Sequence, residues 1–352
     1  MTAGAPQTRT PVKDGATVIQ SAIARAVQRE DLSQELARAT MEQILAGEAT
    51  PAQIGALAVA LRMKGETPDE IAGMAQAMRD RVPPIRTRRS PLIDTCGTGG
   101  DNAGTFNIST TVAIVAASCG VAVAKHGNRA VSSRTGSADV LESLGVRIDL
   151  TPENAARSLD VLGITFLFAP NYHTALRHAS GPRREIGVRT VFNVLGPLTN
   201  PAGASRQLLG VYSDSLVRPV AEVLQRLGSD RAWVVHGRDG LDELTVFEPS
   251  HVAEVANGKL REFDVDPAEL GLAHKDRAGV AGGDAAANAA RVVAVLGGEK
   301  GAARDIVVLN AGAALVVSGL ASDLVDGVRR AAAAIDSRAA RGKLDELQAF
   351  RG

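Results

Sequence analysis

The chain has 352 residues, enough to bury a sizeable core and to divide into two or three domains, and its 45% hydrophobic content is ordinary for a globular protein. Lysine plus arginine equals aspartate plus glutamate at 39 each, which excludes a global field drawing the protein onto nucleic acid or an anionic membrane; any attraction for phosphate must be local. With only two cysteines, Cys96 and Cys119, a disulfide framework is excluded and a reducing cytosol is indicated.

The opening MTAGAPQTRTPVKDG lacks an apolar core and predicts a disordered arm over 1–14 rather than a secretion signal. A helical domain is expected over 15–84. Its first helix lies near 16–29; Ser33 opens a second that stops by Gly47, Thr50-Pro51 a third that stops at Gly65, and Thr67-Pro68 a fourth that runs to about Val82. Serine or threonine as N-cap, proline at the first helical position and glycine just past the end are the punctuation that such helices need. Pro83-Pro84 and the RTRR run at 86–89 then mark a connector, read as solvated.

From Pro91 onward short apolar runs alternate with helical ones. PLID, VAVAK, ITFLFAP, QLLGVYS and AWVVHG read as buried strands, each followed by a helix. This predicts an α/β domain over 85–352 with a mainly parallel central sheet, whose ligands sit beyond the carboxyl ends of the strands. The stretch 306–322 is apolar but short, carries Asn310 and is rich in small residues, so it reads as a buried helix and not as a membrane span. An alanine-rich closing helix is expected from Ala331.

Two glycine-rich stretches carry the chemistry: DTCGTGGDNAGTFNIST at 94–110 and KHGNRAVSSRTGSADVLE at 125–142. Each joins a strand-like run to a helix-like run, where backbone N–H groups and the positive helix end can receive phosphate oxygens. The first brings Gly97, Gly99, Gly100, Asp94 and Asp101 but no cation, whereas the second brings Lys125, His126, Arg129 and Arg134. Such a pairing suits a substrate with several phosphates and a bound divalent metal. The first loop matches neither the dinucleotide fingerprint, because position 102 is asparagine, nor a Walker loop, because the lysine is missing. Asn107, Ser109 and Thr110 stand where the next helix begins, so they can cap it or bind a ligand. Lys125 and Arg129 can clamp phosphate oxygens, with Asn128, Ser132, Ser133 and Ser137 as neutral partners. His126 is either structural or functional, Arg134 can equally be a surface residue, and Cys96 has no identifiable partner base.

Two further constellations follow. Asp242-Glu243, within GRDGLDELT, can converge on one cation if it lies on a loop; a solvated turn would have the same letters. The stretch RREIGVRTVFNVLGPLTNP at 183–201 offers arginines that can grip a carboxylate, and Gly196-Pro197 as a hinge.

In this order and at this spacing, DTCGTGGD, NIST, KHGNRAVSS, GSADVLE, RREIGVRTVFNVLGPLTNP and DELT resemble the anthranilate phosphoribosyltransferase family of tryptophan biosynthesis, over about 16–330. The pyrimidine nucleoside phosphorylases share the fold but carry a different second loop. The resemblance implies a small N-terminal helical domain, to which hinge-linked helices around 172–200 return, plus a larger α/β domain of the nucleoside phosphorylase/phosphoribosyltransferase kind. It implies a cytoplasmic homodimer whose helical domains meet, with no nucleic-acid or membrane partner. The implied reaction is Mg²⁺-dependent transfer of phosphoribose from PRPP to anthranilate, releasing pyrophosphate. PRPP would be bound by Gly97, Gly100, Asp101, Thr105, Asn107, Ile108, Ser109, Thr110, Lys125, His126, Gly127, Asn128, Arg129, Ala130, Val131, Ser132, Ser133 and Ser137. Ser109, Asp242 and Glu243 would hold the metal; Gly97, His126, Asn128, Ala169, His173 and Arg183 would meet anthranilate; Gly196 and Pro197 would form the hinge. A rival of another class, a non-catalytic phosphosugar or nucleic-acid binder using the basic patch at 125–134, is disfavoured by the balanced charge and the acid pair.

Overall fold

The computed structural model describes residues 17–101, 103–130 and 134–352. The arm expected over 1–14, and Val131, Ser132 and Ser133 of the second loop, lie outside the described residues. Of the described residues, those within Met1–Arg81 and His173–Leu195 form one compact unit, and those within Val82–Tyr172 and Gly196–Gly352 form another.

The first unit opens with α1 (Val18–Val27), α2 (Gln34–Leu45), α3 (Pro51–Lys64) and α4 (Pro68–Arg79). Their starts follow the expected chemistry: the Ser33, Thr50 and Thr67 hydroxyls accept N–H bonds from Leu36, Gln53 and Glu70, and Gly65 ends α3 at φ +92°. Glu70 does more than complete a capping box. Fully buried, it accepts from the Thr67 N–H at 2.9 Å and the Leu32 N–H at 2.8 Å, and pairs with Lys64 Nζ at 3.1 Å, tying three segments together. At Gly73 a Cβ would lie 2.2 Å from the Gln34 carbonyl oxygen, so α2 and α4 approach as closely as they do only because the residue is glycine.

The second unit runs β1 (Ile93–Gly97), α5 (Ile108–Ser118), β2 (Val123–Gly127), α6 (Ser137–Ser143), α7 (Pro152–Leu162), β3 (Ile164–Phe168) and α8 (Ala169–Tyr172). The chain then supplies α9 (Arg177–Ile186) and α10 (Phe192–Leu195) to the helical unit. It resumes with β4 (Arg206–Gly210), α11 (Val217–Arg226), β5 (Arg231–Gly237), β6 (Ser250–Ala256) and β7 (Lys259–Val265), and closes with α12 (Ala285–Leu296), α13 (Ala302–Ser318), α14 (Leu324–Asp336) and α15 (Ala339–Ala349). Among the described residues one sheet forms, in the order β3-β2-β1-β4-β5-β6-β7. Its first five strands are parallel, and β6 and β7 are antiparallel additions.

The chain steps outward from β1 to β2 and β3, then returns to the other side of β1 for β4. The sheet's topological switch point therefore lies between β1 and β4, where open α/β sheets leave a crevice. In register, Gly97 faces Gly210 there. The core is built on α5 and α13, which are mainly apolar and almost wholly buried. The buried helix expected over 306–322 is α13, ended by Gly319 at φ +79°. Among the described residues no helix is long and apolar enough to cross a membrane.

Two features depart from expectation. The hairpin of β6 and β7 was not anticipated, although Asn257-Gly258 joins the strands with both residues at positive φ, 51° and 71°, as a two-residue turn requires. The connector at 86–89 is docked and not simply solvated. The Thr87 hydroxyl and Arg88 N–H donate to Asp160 Oδ1 at 2.6 and 2.8 Å, and Arg89 donates to the Asp160 carbonyl.

Candidate active site

The first loop leaves β1 at Gly97. Gly99 and Gly100 take positive φ, 66° and 77°, and the Gly99 N–H donates to Asp242 Oδ2 at 2.8 Å. A Cβ on Gly97 would lie 2.5 Å from that same carboxylate oxygen, and one on Gly210 would lie 1.5 Å from the Asp242 carbonyl oxygen. Both strand ends must be glycine because the β5–β6 loop lays its acid pair across them. Thr98 N–H donates to the Gly210 carbonyl at 2.9 Å, and its hydroxyl accepts from Tyr212 N–H at 3.1 Å, which fixes the loop to β4. Asp101 folds back at the loop's far side, where Oδ1 accepts from Ala103 N–H at 3.1 Å.

Glu243 lies at the start of α5. Its carboxyl group accepts the Ser109 N–H, one of the donors left open in the first turn of α5. Burial, with Asp242 and Asp101 nearby, pushes Glu243 well above the usual carboxylate range. Asp242 is pushed up to about 7, by burial first and by Asp101 second. Lys125, on β2 and 3% exposed, donates to the Thr95 carbonyl and to Ser109 Oγ at 3.3 Å. Burial pulls the Lys125 ammonium down, against the opposing influence of Asp94, Cys96 and Glu243.

These carboxylates are strained by mutual repulsion and poor hydration, a condition that a divalent cation relieves. Among the described residues no three His, Cys, Asp or Glu side chains converge to cage a metal on their own. Magnesium is usually held by one or two carboxylates, with waters and substrate phosphates completing its octahedron. The donor set of Asp242, Glu243 and the Ser109 hydroxyl fits that ion. The acid pair is held from behind by Asn310 on α13, wholly buried, whose amide donates to the Leu244 carbonyl at 2.7 Å and accepts from the Leu244 N–H at 3.0 Å. Asn310→Leu would leave both Leu244 groups unpaired and is expected to lower stability by roughly 2–5 kcal/mol in urea denaturation. An unchanged midpoint would show that Asn310 does not hold this loop.

The second loop begins at Gly127, where a Cβ would lie 2.2 Å from Ser137 Oγ. The Ser137 hydroxyl is 3.2 Å from both the backbone nitrogen and oxygen of Asn128. Asp139 closes the loop: Oδ2 accepts from Ala130 N–H at 3.0 Å and Gly136 N–H at 2.9 Å, while Oδ1 takes Arg129 at 3.0 Å. Arg129 also bonds Glu142 Oε1 at 2.9 Å and lies 5.5 Å from the Phe168 ring centroid, so its guanidinium is already engaged with carboxylates. His126 offers its backbone N–H to Asp94 Oδ1 at 3.1 Å. Burial pushes the Asp94 carboxyl up to about 6, against the Lys125 ammonium and the Asn200 amide that favour its charge. Thr105 is half-buried and bridges Ala281, while Ile108 and Thr110 are buried within α5.

The expected acceptor residues divide between the two units. Gly97, His126, Asn128 and Ala169 belong to the α/β unit, His173 and Arg183 to the helical unit. Arg183 is half-buried on α9, its guanidinium 5.6 Å from the Phe192 ring centroid. Burial lowers its pKa, and among the described residues no carboxylate pairs with it. Gly196 begins the return stretch, with nothing within 4 Å of an added Cβ. Beyond it the Pro197 carbonyl accepts from Gln207 Nε2 at 2.7 Å, and Asn200 Nδ2 donates to Asp94 Oδ2 at 2.8 Å.

Sequence reasoning passed over Gly210, Asp139 and Asn310. Gly210 had a signal, an apolar strand-like run ending in glycine just as β1 and β2 do. Asp139 stood in view within GSADVLE, at the third position of a short helix. Asn310 was noticed only as an obstacle to a membrane reading.

The chain matches the helical bundle domain of a glycosyl transferase family over residues 20–82 and the a/b domain of that family over residues 89–341. It is 53% identical over 347 residues to an anthranilate phosphoribosyltransferase of Citrifermentans bemidjiense, covering 95% of this chain and 99% of the relative. The crystal structure of the anthranilate phosphoribosyltransferase from Thermus thermophilus superposes with a TM-score of 0.88 at 46% identity, covering 94% of this chain and 98% of the other. The Saccharomyces cerevisiae enzyme in complex with PRPP and Mg gives a TM-score of 0.84 at 26% identity over 94% and 96% of the two chains. The same yeast enzyme has also been solved in complex with 4-fluoroanthranilate.

Proposed function

The chain belongs to the anthranilate phosphoribosyltransferase family, and from its site we infer that it transfers the 5-phosphoribosyl group of PRPP to the amine of anthranilate. The products are N-(5-phosphoribosyl)anthranilate and pyrophosphate, the second step of tryptophan biosynthesis from chorismate. One observation carries this reading. The acid pair Asp242-Glu243 is delivered to the switch point of the sheet, against the N–H of Gly99, the amino end of α5 and the Ser109 hydroxyl that Lys125 holds. Carboxylates there demand a cation, and the positive end of α5 together with Lys125 suits a diphosphate.

Displacement at the anomeric carbon builds positive charge on the ribose and negative charge on the departing diphosphate. Asp242, Glu243 and Ser109 would hold Mg²⁺, which when bound offsets that negative charge. The amino end of α5 lies beside the acid pair, and its dipole is oriented before the reaction starts, so it offsets the leaving group's charge without reorganising. Lys125 adds a buried positive charge on the same side. Anthranilate is an aromatic amine, already neutral near pH 7, so no strong general base is required; the remaining work is positioning. Arg183, a half-buried cation with no carboxylate partner among the described residues, receives the acceptor's carboxylate. Gly196 and Pro197 serve as the hinge, supported by open space at the first and the Gln207 anchor on the second.

The protein works as a homodimer in the cytoplasm. Val59 and Met63, 37% and 72% exposed one turn apart on α3, and Val18 and Val27 on the neighbouring α1, support pairing of two copies through the helical unit. Both cysteines are unpaired, in keeping with a reducing compartment.

The test is the loss of anthranilate fluorescence on mixing protein and PRPP, with magnesium present or chelated. Magnesium-dependent loss with release of pyrophosphate is expected. No loss, together with phosphate-dependent release of thymine or uracil from a nucleoside, would overturn the transferase in favour of a phosphorylase.

A further inference from the structure

We propose, resting on the site just described, that Asn288 is a positioning residue that sets the spacing of the two substrate loops by holding Asn107 between them. From the sequence Asn107 can cap α5 or bind a ligand, and the resemblance implies a contact with PRPP. Instead that side chain is a cross-link: Nδ2 donates to the Thr135 carbonyl at 3.1 Å, and Oδ1 accepts from Asn288 Nδ2 at 2.9 Å. Asn288 lies on α12 and is 2% exposed. Its own Oδ1 accepts the Gly283 N–H at 2.7 Å, and the Gly283 carbonyl accepts the Thr135 hydroxyl at 2.9 Å. The four bonds close a ring through Asn107, Asn288, Gly283 and Thr135.

The ring stands at the downstream ends of both loops. Asn107 is the residue from which α5 springs, and Thr135 precedes Gly136, where the second loop is closed by Asp139. The segment around Gly283 is itself laid along the first loop. Gly282 N–H donates to the Gly104 carbonyl at 2.7 Å, Phe106 N–H donates to the Val280 carbonyl at 3.1 Å, and a Cβ on Gly282 would lie 2.4 Å from the Thr105 carbonyl oxygen. Asn288 therefore joins two loops that are separate in sequence and that bind different parts of one substrate. The expected acceptor contacts Gly97, His126 and Asn128 stand at the upstream ends of these loops, fixed by β1 and β2, so an error in spacing at the downstream ends weakens the phosphoribosyl diphosphate more than the acceptor. The ring is closed and Asn288 within it is buried, so losing Asn288 breaks two of the four bonds at once and leaves the Gly283 N–H without its acceptor.

The test uses the full chain with magnesium and measures KM for both substrates, kcat and the melting temperature for Asn288→Ala, Asn107→Ala, the double variant and Asn288→Asp. The aspartate keeps the acceptor toward Gly283 and replaces the donor toward Asn107 with an oxygen, at the same size. Each single variant is expected to raise the PRPP KM about tenfold, with the anthranilate KM and kcat within about threefold of the parent. The double variant should be no worse than the worse single, since both remove one link. Asn288→Asp should resemble Asn288→Ala, and it decides the matter if the alanine variant does not fold. A parental PRPP KM in Asn288→Asp, effects that multiply in the double variant, or equal rises in both KM values would overturn the positioning role. A parent chain that does not transfer phosphoribose would overturn the underlying function instead, and is seen before any variant is made.

Discussion

Changing Asp242 to asparagine and Glu243 to glutamine together is expected to raise the magnesium concentration for half-maximal activity at least tenfold, and to lower kcat/KM by about 10²–10³-fold at a concentration that saturates the parent. The reason is chemical and local. The two carboxylates provide the charge that binds the cation, and the amides keep their shape without it. A magnesium titration of the double variant that overlays the parent would sink the metal role. The same substitution carries a second expectation of opposite sign, for stability. The Asp242 carboxyl, about 7 in the folded protein against an ordinary 3.8, holds its proton longer when folded than when unfolded. Its contribution to folding is thus present in full below pH 3.8 and is lost as the pH rises through about 7. In magnesium-free buffer the parent should therefore melt lower at pH 8 than the amide variant, with the gap narrowing toward pH 5. Magnesium should close the gap at pH 8 by binding the parent's folded state. A parent that melts above the variant at pH 8 without metal would show that the acid pair is not under electrostatic strain.

Replacing Arg183 by alanine is expected to raise the anthranilate KM about 10²-fold while the PRPP KM stays within about twofold, an effect of the size seen when a partly buried charge pair loses one member. The guanidinium is half-buried on α9, 5.6 Å from the Phe192 ring centroid, and pulled down in pKa by burial, with no carboxylate among the described residues to compensate. A cation kept in that condition is stabilised by an anionic ligand, and its planar fork matches a carboxylate in two bonds. Arg183→Lys should recover only part of the loss, because an ammonium offers charge without the fork. An anthranilate KM unchanged in Arg183→Ala would remove this residue from acceptor binding. A rise in both KM values would point to general disturbance of the helical unit.

Much of the architecture could be read before any fold was known. Ser33, Thr50 and Thr67 marked helix starts because a capping hydroxyl bonds an N–H three residues on, and that reach lies within any short window of sequence. Apolar runs leading into glycine-rich loops mark β1 and β2, whereas the acid pair at 242–243 has the letters of a solvated turn and gains meaning only beside those loops. The β6–β7 hairpin was equally local in its signal, an Asn-Gly turn between two runs of matching length, and was overlooked. Glu70 shows the limit within one residue: its bond to Thr67 was legible as a capping box, but its bond to Leu32, 38 residues away, was not.

By itself, then, the sequence determined which segments become helices and strands, which loops are glycine-rich and so can approach an anion, and where charge of each sign is stored. It did so because dihedral preference, capping and hydrophobic period act over a few residues. Only the tertiary structure decided how those stores are combined. Gly99 and Asp242 meet across 143 residues, Asn107 and Asn288 across 181, and Leu244 and Asn310 across 66. Asn107 and Arg129 illustrate the consequence: both look available to phosphate in the sequence, and in the fold the side chain of one is engaged in a cross-link and the other is paired with Asp139 and Glu142. A polar side chain in isolation states what it can bond to, and the packing of distant elements, which must satisfy every buried donor and acceptor at once, selects the partner.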